Sequence, residues 1–302
     1  MRYYLGIDGG GTKTTCAVGD DIRLVAIATA GPSNIVRVGE VEARESLLQS
    51  VRQVCSAAGI VPAEVSRTCV GGSGAARPEL AALVRRMLAE ILPGPIDVVG
   101  DMETALEAAF ESGPGVIAIA GTGSIAYGRD HNGRTARAGG WGFAIGDEGS
   151  AHWIGRAAVA AVLRAHDRAA DSSRGLTAAL MDAWSSKSVF DLALTANSIP
   201  PPDFASLFPV IAASRDDLAV RVLQRAGQEL AQIAAVVIRH LFNNDSDAVP
   251  VAMTGGVFRH SLLARDVFYN ELRLLDSRAR VRPEIVEPVE GALRMARKAA
   301  KI

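Results

Sequence analysis

Apolar and polar positions predict short strands and amphipathic helices in the first third of the chain. Strands are expected where apolar residues run together, or alternate with polar ones, between glycine and aspartate turns. The predicted strands are residues 3–8, 13–19, 23–30, 67–70 and 95–99. Apolar residues at helical spacing predict a helix that includes residues 47–58, a second that begins at Pro78, and a third at residues 101–111.

The same pattern begins again after Ser112-Gly113-Pro114-Gly115, which is therefore the best domain boundary. The predicted strands of the second part are residues 115–120, 124–128, about 134–138, 249–253 and 281–286. The predicted helices are a long one at roughly 215–243, one near 260–275 and a last one that begins at Pro288. Strands followed by crossover helices, begun twice, predict two α/β lobes built on one plan.

Two glycine-threonine turns, one after the first strand of each lobe, are the most informative feature of the chain. The first lies in Asp8-Gly9-Gly10-Gly11-Thr12-Lys13-Thr14, and the second in Ala120-Gly121-Thr122-Gly123-Ser124. Glycine lets the backbone approach a ligand closely, and consecutive N–H groups form a nest for anions. Two such turns that face each other would make a clamp for a chain of phosphates, although each alone could be an ordinary glycine hairpin.

Two better-known glycine motifs do not fit these turns. A P-loop needs Lys-Ser or Lys-Thr directly after a glycine and then a helix, whereas Thr12 separates Gly11 from Lys13 and a strand follows. Residues 121–126 match the spacing of the dinucleotide fingerprint, but that fingerprint opens a helix. Residues 127–133 instead indicate a strand end and a hairpin turn. Both motifs are therefore excluded.

Composition and charge narrow the class of protein. The 302 residues are 49% hydrophobic, enough for a large core in two lobes, and the net charge of −1 leaves no basic footprint for nucleic acid. The longest apolar stretches are far shorter than a membrane span, and the N-terminus shows no signal peptide pattern. Three scattered cysteines form neither a metal spacing nor a disulfide framework. We therefore expect a cytoplasmic protein with no nucleic-acid and no membrane partner.

Asp8 ends the first predicted strand, beside the first turn. A carboxylate next to a phosphate cradle is repelled unless a cation lies between them, which predicts a Mg²⁺ site that Asp8 reaches through water. Thr12, Lys13 and Thr14 offer hydroxyl and ammonium donors to the β- and γ-phosphates. The alternatives are an aspartate that only stabilises the turn and a lysine that only faces solvent.

Asp101 follows a predicted strand and begins a predicted helix. As the N-cap residue it would stabilise that helix by about 1 kcal/mol. As a general base it would take a proton from a substrate hydroxyl, which typically contributes about 10²–10⁴-fold to a rate. The two roles are compatible, because ligands meet α/β sheets at strand ends.

A glycine-rich segment at residues 139–149 suits a polyhydroxylated ligand. It contains Trp141 and the adjacent acids Asp147 and Glu148, whose carboxylates can accept hydrogen bonds from sugar hydroxyls. The alternative is a structured loop that caps the next helix. Asn34 is a weaker sugar candidate, since asparagine in such loops usually makes a turn.

A third point of close backbone approach is Thr254-Gly255-Gly256, which follows an apolar strand in the second half. Placed there, it could hold a nucleoside, with Gly256 and Val257 packing on adenine or ribose. By itself this pattern is not specific.

In this order the segments resemble the N-acetylglucosamine kinases of the BadF/BadG-type ATPase family, within the actin, hexokinase and Hsp70 superfamily. The resemblance covers nearly the whole chain. It rests on the two turn segments, Asp101, Gly139-Gly140-Trp141-Gly142, Gly146-Asp147-Glu148-Gly149-Ser150 and Thr254-Gly255-Gly256-Val257. The last helix, with Pro288-Val289-Glu290-Gly291-Ala292, is similar to the superfamily's closing helix, which returns to the first lobe.

The resemblance implies an α/β fold of two ribonuclease-H-like (actin-like ATPase) lobes with mixed sheets. The smaller, N-terminal lobe would be residues 1–113 with the C-terminal helix at about 288–302, and the larger lobe residues 114–287. ATP with Mg²⁺ and an amino sugar would bind in the cleft between the lobes.

The resemblance also implies a role for individual residues, as a kinase of the sugar 6-hydroxyl in which Asp101 is the base. Asp8 would hold Mg²⁺ through water. The implied ATP contacts are Gly10, Gly11, Thr12, Lys13, Gly121, Thr122, Gly123, Gly255 and Gly256. The implied sugar contacts are Asn34, Ser73, Gly139, Gly140 and Asp147. We also expect a homodimer.

Ile125 departs from the animal N-acetylglucosamine kinase, which has an asparagine after this turn. The departure leaves glucosamine, N-acetylmuramate or another hexose as alternative substrates. A different class of function is an ATP-driven activator of a dehydratase or reductase, which holds a [4Fe–4S] cluster. Cys16, Cys55 and Cys69 lack the Cys-Ala-Ala-Gly-type ligand motif of those activators. An actin-like binding protein driven by ATP turnover is a third alternative.

Overall fold

The computed structural model describes residues 2–75, 77–168, 174–243 and 247–301. Its strands are β1 (Tyr3–Gly9), β2 (Thr14–Gly19), β3 (Leu24–Ala30), β4 (Val65–Gly72), β5 (Ile96–Gly100), β6 (Gly115–Ala120), β7 (Ser124–Arg129), β8 (Thr135–Gly139), β9 (Val249–Thr254) and β10 (Ala279–Ile285). Its α-helices are α1 (Ile35–Ala58), α2 (Pro78–Leu88), α3 (Asp101–Phe110), α4 (Ala151–Asp167), α5 (Arg174–Ala183), α6 (Val189–Ala196), α7 (Phe208–Ala213), α8 (Asp217–Leu241), α9 (Gly256–His260), α10 (Leu262–Leu275) and α11 (Pro288–Ala299).

These elements form two compact units. Unit 1 comprises Met1–Gly113 with Val286–Ile302, and unit 2 comprises Pro114–Ile285. Each unit contains one mixed five-stranded sheet, so the α/β class with two mixed sheets is confirmed. No helix in the described part of the chain is both long enough and apolar enough to cross a membrane.

The sheet of unit 1 has the order β3-β2-β1-β4-β5. The first three strands form an antiparallel meander, and β4 and β5 add in parallel to β1. Parallel strands need crossover helices, and α1 and α2 provide them. This order makes β1 central, with the end of β4 beside it, so the first glycine turn and the β4–α2 loop leave the same edge of the sheet.

Side chains of β1 alternate between the two faces of this sheet, as the period of a strand requires. Leu5 and Ile7 are buried in a cluster with α1 and α2, whereas Tyr4 is buried against α11. Helix α11 comes so close to β1 at Gly6 that a side chain at this position would overlap the backbone of Leu293. The C-terminal helix is thus a built-in part of the core of unit 1.

The sheet of unit 2 has the order β10-β9-β6-β7-β8, which repeats the topology of unit 1. An antiparallel meander of β6, β7 and β8 is again extended by two parallel strands, β9 and β10. The long helix α8 buries one apolar face, with residues such as Leu230, Ala234 and Ile238 fully covered. Helices α4 to α7 also belong to this unit.

The predicted bounds of one strand, 67–70, were too short. Strand β4 continues to Gly72 because Gly71 pairs with both Asp8 and Val99, and the Thr104 side chain occupies the space that a side chain at position 71 would need. The predicted helix near 260–275 is confirmed as α10, and the Ser261 hydroxyl caps it by accepting a hydrogen bond from the Ala264 N–H at 3.2 Å.

Candidate functional site

The first glycine turn joins β1 to β2 and is held by its own backbone. The Gly10 N–H donates to the Lys13 carbonyl at 3.0 Å. The Gly10 carbonyl accepts from the Asn34 N–H at 3.2 Å, and the Gly9 carbonyl accepts from the Ser73 N–H at 3.1 Å. The turn therefore brings the loops that carry Asn34 and Ser73, two predicted sugar contacts, against itself.

Asp8 and Asp101 lie close enough for their charges to interact. Burial, followed by the charge of Asp101, raises the pKa of Asp8 from 3.8 to about 7, while Lys13 opposes the shift and Glu287 adds to it. Nearby carboxylates disfavour the charged form of a carboxyl group, and a bound cation favours it. Sequence reasoning missed Glu287, whose only signal is its place immediately before the Pro288 helix.

Asp101 is the first residue of α3 but not its N-cap, so that prediction was wrong. Gly100 is the N-cap, and the Glu103 carboxylate accepts from the Gly100 N–H at 3.0 Å. The Asp101 carboxylate instead accepts from the Met102 N–H at 2.9 Å and from the Ser73 hydroxyl. Burial raises the pKa of Asp101, and these two hydrogen bonds oppose the shift. The carboxylate is thereby fixed in orientation beside Ser73.

The donor set of unit 1 fits a magnesium ion that keeps most of its water. No group of three or more His, Cys, Asp or Glu side chains in the described part of the chain could enclose a metal. Mg²⁺ usually binds through one or two carboxylates and retains several waters. Asp8, whose pKa is raised by burial and by the nearby charge of Asp101, matches that requirement.

Asn34 caps helix α1. Its side-chain oxygen accepts from the Val36 N–H at 3.1 Å, so one acceptor of this predicted sugar contact is already used. Close by, a cavity of about 20 Å³ is lined by Gly9, Ser33 and Ser73 on one side and by apolar residues such as Leu80 on the other. Such a cavity has room for a single water molecule or a group of that size.

The second glycine turn joins β6 to β7 and is held by the start of α4. The Gly121 N–H donates to the Gly123 carbonyl at 2.9 Å. The Gly121 carbonyl accepts from the Ala151 N–H at 2.9 Å, and the Thr122 carbonyl accepts from the His152 N–H at 3.3 Å. No atom lies within 4 Å of where a side chain of Gly121 would begin, so a ligand can approach this backbone closely.

Asp147 lies beneath the second turn rather than on an open surface. Its carboxylate accepts from the Gly142 N–H at 3.3 Å and from the Ser124 N–H. The Asp147 Oδ2 atom is 2.8 Å from the position that a Cβ on Gly123 would occupy. The side chain is buried, and burial raises its pKa. Asp147 thus ties the 139–149 loop to the turn.

Gly139 and Gly140 both have positive φ angles, 73° and 69°, which glycine adopts without strain. A Cβ on Gly140 would lie 2.7 Å from the Ile125 Cδ1 atom. The position that departs from the animal enzyme therefore packs directly under the predicted sugar loop. Trp141 in the same loop is 67% exposed, and the Arg137 guanidinium lies 4.7 Å from its ring centroid.

Gly255 lies against the second turn, with a φ of 104°. A side chain there would overlap the Ala120 carbonyl, so β9 and β6 end in close contact. Gly256 has open space beside it. Val257 is fully buried in the core of unit 2, so the prediction that it packs on a nucleoside was wrong.

Comparison with known proteins identifies the family. The model of the BadF/BadG/BcrA/BcrD ATPase family matches residues 5–296. The chain belongs to this family. It is 34% identical over 281 residues, 91% of each chain, to a protein of Clostridium acetobutylicum named N-acetylmuramic acid/N-acetylglucosamine kinase.

Two further relatives span almost the whole chain. An N-acetyl-D-glucosamine kinase of Dictyostelium discoideum is 28% identical and covers 98% of both chains. A crystal structure from Chromobacterium violaceum, provisionally named an N-acetylglucosamine kinase, is 27% identical, with 98% and 99% of the two chains covered and a TM-score of 0.78. The resemblance found in the sequence is thereby confirmed.

Proposed function

We propose that this protein is an ATP-dependent kinase that phosphorylates the 6-hydroxyl of N-acetylglucosamine or a closely related hexosamine. The observation that carries the proposal is the half-buried Asp101 carboxylate at the start of α3, which accepts a hydrogen bond from Ser73 and lies near enough to Asp8 for their charges to interact. Kinase names on relatives that match over 91% and 98% of the chain support it.

Asp101 is the general base in this reaction. Its raised pKa makes the carboxylate a better proton acceptor than an exposed aspartate, and its hydrogen bonds from Ser73 and Met102 hold it in one orientation. The sugar 6-hydroxyl gives its proton to this carboxylate while its oxygen attacks the γ-phosphorus in line, and the bond between the γ-phosphorus and the ADP oxygen breaks, so that ADP leaves. Positioning and charge stabilisation supply most of the rate, as in phosphoryl transfer generally.

The two glycine turns bind the phosphates of ATP. Gly10–Lys13 in unit 1 and Gly121–Gly123 in unit 2 offer backbone N–H groups, and Lys13 adds a positive charge. Asp8 holds Mg²⁺ through water and so offsets the repulsion between its own charge and the phosphates. Gly255 and Gly256 accept the adenosine, for which Gly256 leaves open space.

The sugar is bound by Asn34, Ser73, Gly139, Gly140 and Asp147. Ser73 touches both the base and the small cavity of unit 1. Asp147 packs against Gly123 of the second turn, and the Ile125 side chain packs against Gly140. Glucosamine, N-acetylmuramate or a broader range of hexoses is the alternative substrate class.

The test is ADP release with N-acetylglucosamine, glucosamine, N-acetylmannosamine, N-acetylmuramate and glucose, each at several concentrations with Mg²⁺. We expect ADP release to depend on an amino sugar and the product to be its 6-phosphate, identified by ³¹P NMR. ADP release at the same rate without any sugar would contradict the kinase and favour an ATP-driven activator.

A further inference from the structure

A groove between α4 and α8 in unit 2 lies apart from all the residues assigned above. Its cavity of about 440 Å³ is within the usual size range of small-molecule pockets. Apolar side chains line its floor, among them Trp153, Ala161 and Val222. None of the predicted nucleotide, sugar or metal residues belongs to it.

Four arginines converge on this groove from two helices. Arg164 and Arg168 are four residues apart at the C-terminal end of α4, and Arg221 and Arg225 are four residues apart on α8. Residues at this spacing are neighbours on one helix face, where two like charges repel each other. The chain thus places two pairs of positive charges in the same cavity.

Few carboxylates compensate these charges. Arg225 pairs with Glu229 at 3.3 Å, and its guanidinium lies 5.5 Å from the centroid of the Trp153 ring. Arg164, Arg168 and Arg221 have no ion pair with any carboxylate in the described part of the chain, which includes the exposed neighbours Asp167 and Asp217. Three positive charges in a concave site therefore lack a counter-charge among the described residues.

We infer that this groove binds a phosphorylated small molecule with two or three negative charges. Guanidinium groups form paired hydrogen bonds with phosphate oxygens. A ligand with two or three negative charges would balance the three arginines that have no carboxylate partner. The organic part of the ligand packs on the floor formed by Trp153 and the alanines, because an inorganic ion alone would leave this apolar surface exposed to solvent.

This site is distinct from the catalytic one but shares helix α4 with it. The first N–H groups of α4 hold the carbonyls of Gly121 and Thr122, and the arginine pair lies toward the other end of the same helix. A ligand that joins α4 to α8 therefore acts on the element that supports the second turn. The inference does not depend on the proposed kinase reaction, since anion binding can be measured alone.

The test is calorimetric titration of metal-free protein with inorganic pyrophosphate as the probe, in the presence of EDTA. We compare the wild type, the groove variant Arg164→Gln/Arg221→Gln, and the control variant Arg156→Gln/Arg215→Gln. The control removes the same charge from exposed arginines outside the groove. We expect the groove variant to lose one pyrophosphate site, or at least about tenfold in its affinity, with the control within twofold of the wild type.

Equal pyrophosphate affinity and stoichiometry in all three proteins would overturn the inference, as would the absence of binding to the wild type. Melting curves show whether each variant is folded, and glutamine at exposed positions leaves the core unchanged. A groove variant that alters the sedimentation coefficient but not the anion affinity would also overturn it, because a second copy of the chain then covers the groove.

Discussion

The two units share one strand order but place their charges differently. Ile7-Asp8-Gly9 at the end of β1 corresponds to Ile119-Ala120-Gly121 at the end of β6. Unit 1 thus has a carboxylate at the end of its central strand and a second one, Asp101, at the end of β5. The corresponding positions of the second sheet, Ala120 at the end of β6 and Val286 directly after β10, are apolar.

The negative charge beside the second turn is not on a strand of the sheet. Asp147 comes from a loop, and backbone N–H groups occupy its carboxylate, so it shapes the turn from below. The turn itself presents only backbone and hydroxyl groups. If the proposed function is right, one topology serves two purposes: the carboxylates of unit 1 would hold a cation and accept a proton, and the second turn would be a neutral nest for an anion.

The strongest test of this difference is Asp101→Asn. Asparagine keeps the shape but has only one acceptor oxygen and cannot take a proton, so kcat is expected to fall by at least about 10²-fold while nucleotide affinity is kept. The control is Asp97→Asn on β5, the strand before α3, which removes a partly exposed pair with Arg67 at 2.8 Å. A kcat of the Asp101→Asn variant within tenfold of the wild-type value would show that Asp101 is not the general base.

A second test compares two adjacent glycines of unit 2. Gly255→Ala forces a side chain into the Ala120 carbonyl at a φ of 104° and is expected to cost about 2–4 kcal/mol of unfolding free energy. Gly256→Ala has open space and should stay within about 0.5 kcal/mol of the wild type. Thermal melting of both variants measures this. Equal melting temperatures would show that the close contact between β9 and β6 is not needed.

The third test uses the raised pKa of Asp8. Because this pKa is about 7 in the folded protein and 3.8 ordinarily, the folded state binds the proton more tightly than the unfolded chain. The Asp8 charge therefore destabilises metal-free protein fully above pH 7, and the penalty disappears as the pH falls to about 4.

Asp8→Asn should accordingly stabilise metal-free protein at pH 8 relative to pH 4, by an amount on the order of 4 kcal/mol. Melting temperatures at both pH values check this, with Asp97→Asn as the baseline for removing one carboxylate from the same sheet. A gain of equal size at pH 4 and pH 8 would contradict it. Added Mg²⁺ should narrow the difference, since the cation binds the charged form.

The smallest expected effect concerns the turns themselves. Gly121→Ala meets no atom within 4 Å, so the melting temperature should not change. A methyl group at the point of ligand approach should nevertheless raise the KM for ATP about tenfold, equivalent to about 1.4 kcal/mol. Gly10→Ala, 3.1 Å from the Lys13 carbonyl, is the counterpart in unit 1. A change in KM for only one of the two would end the idea of a shared phosphate clamp.

Local pattern alone determined much of this protein. The period of two along β1 and the helical spacing along α8 depend only on near neighbours, and both elements lie within two residues of their predicted bounds. The restart after Gly113 indicated a second α/β lobe built on the same plan. The glycine turns were visible because their residue types suit close approach whatever surrounds them.

Tertiary structure decided the partners of each functional group. Asp101 contacts Ser73 and not its own helix start, Asp147 lies under Gly123, and Val257 points into the core. The two arginine pairs of the groove, more than fifty residues apart in sequence, meet only because α4 packs beside α8. Such contacts depend on how helices and sheets pack over long sequence separations, and spacing along the chain carries no record of that.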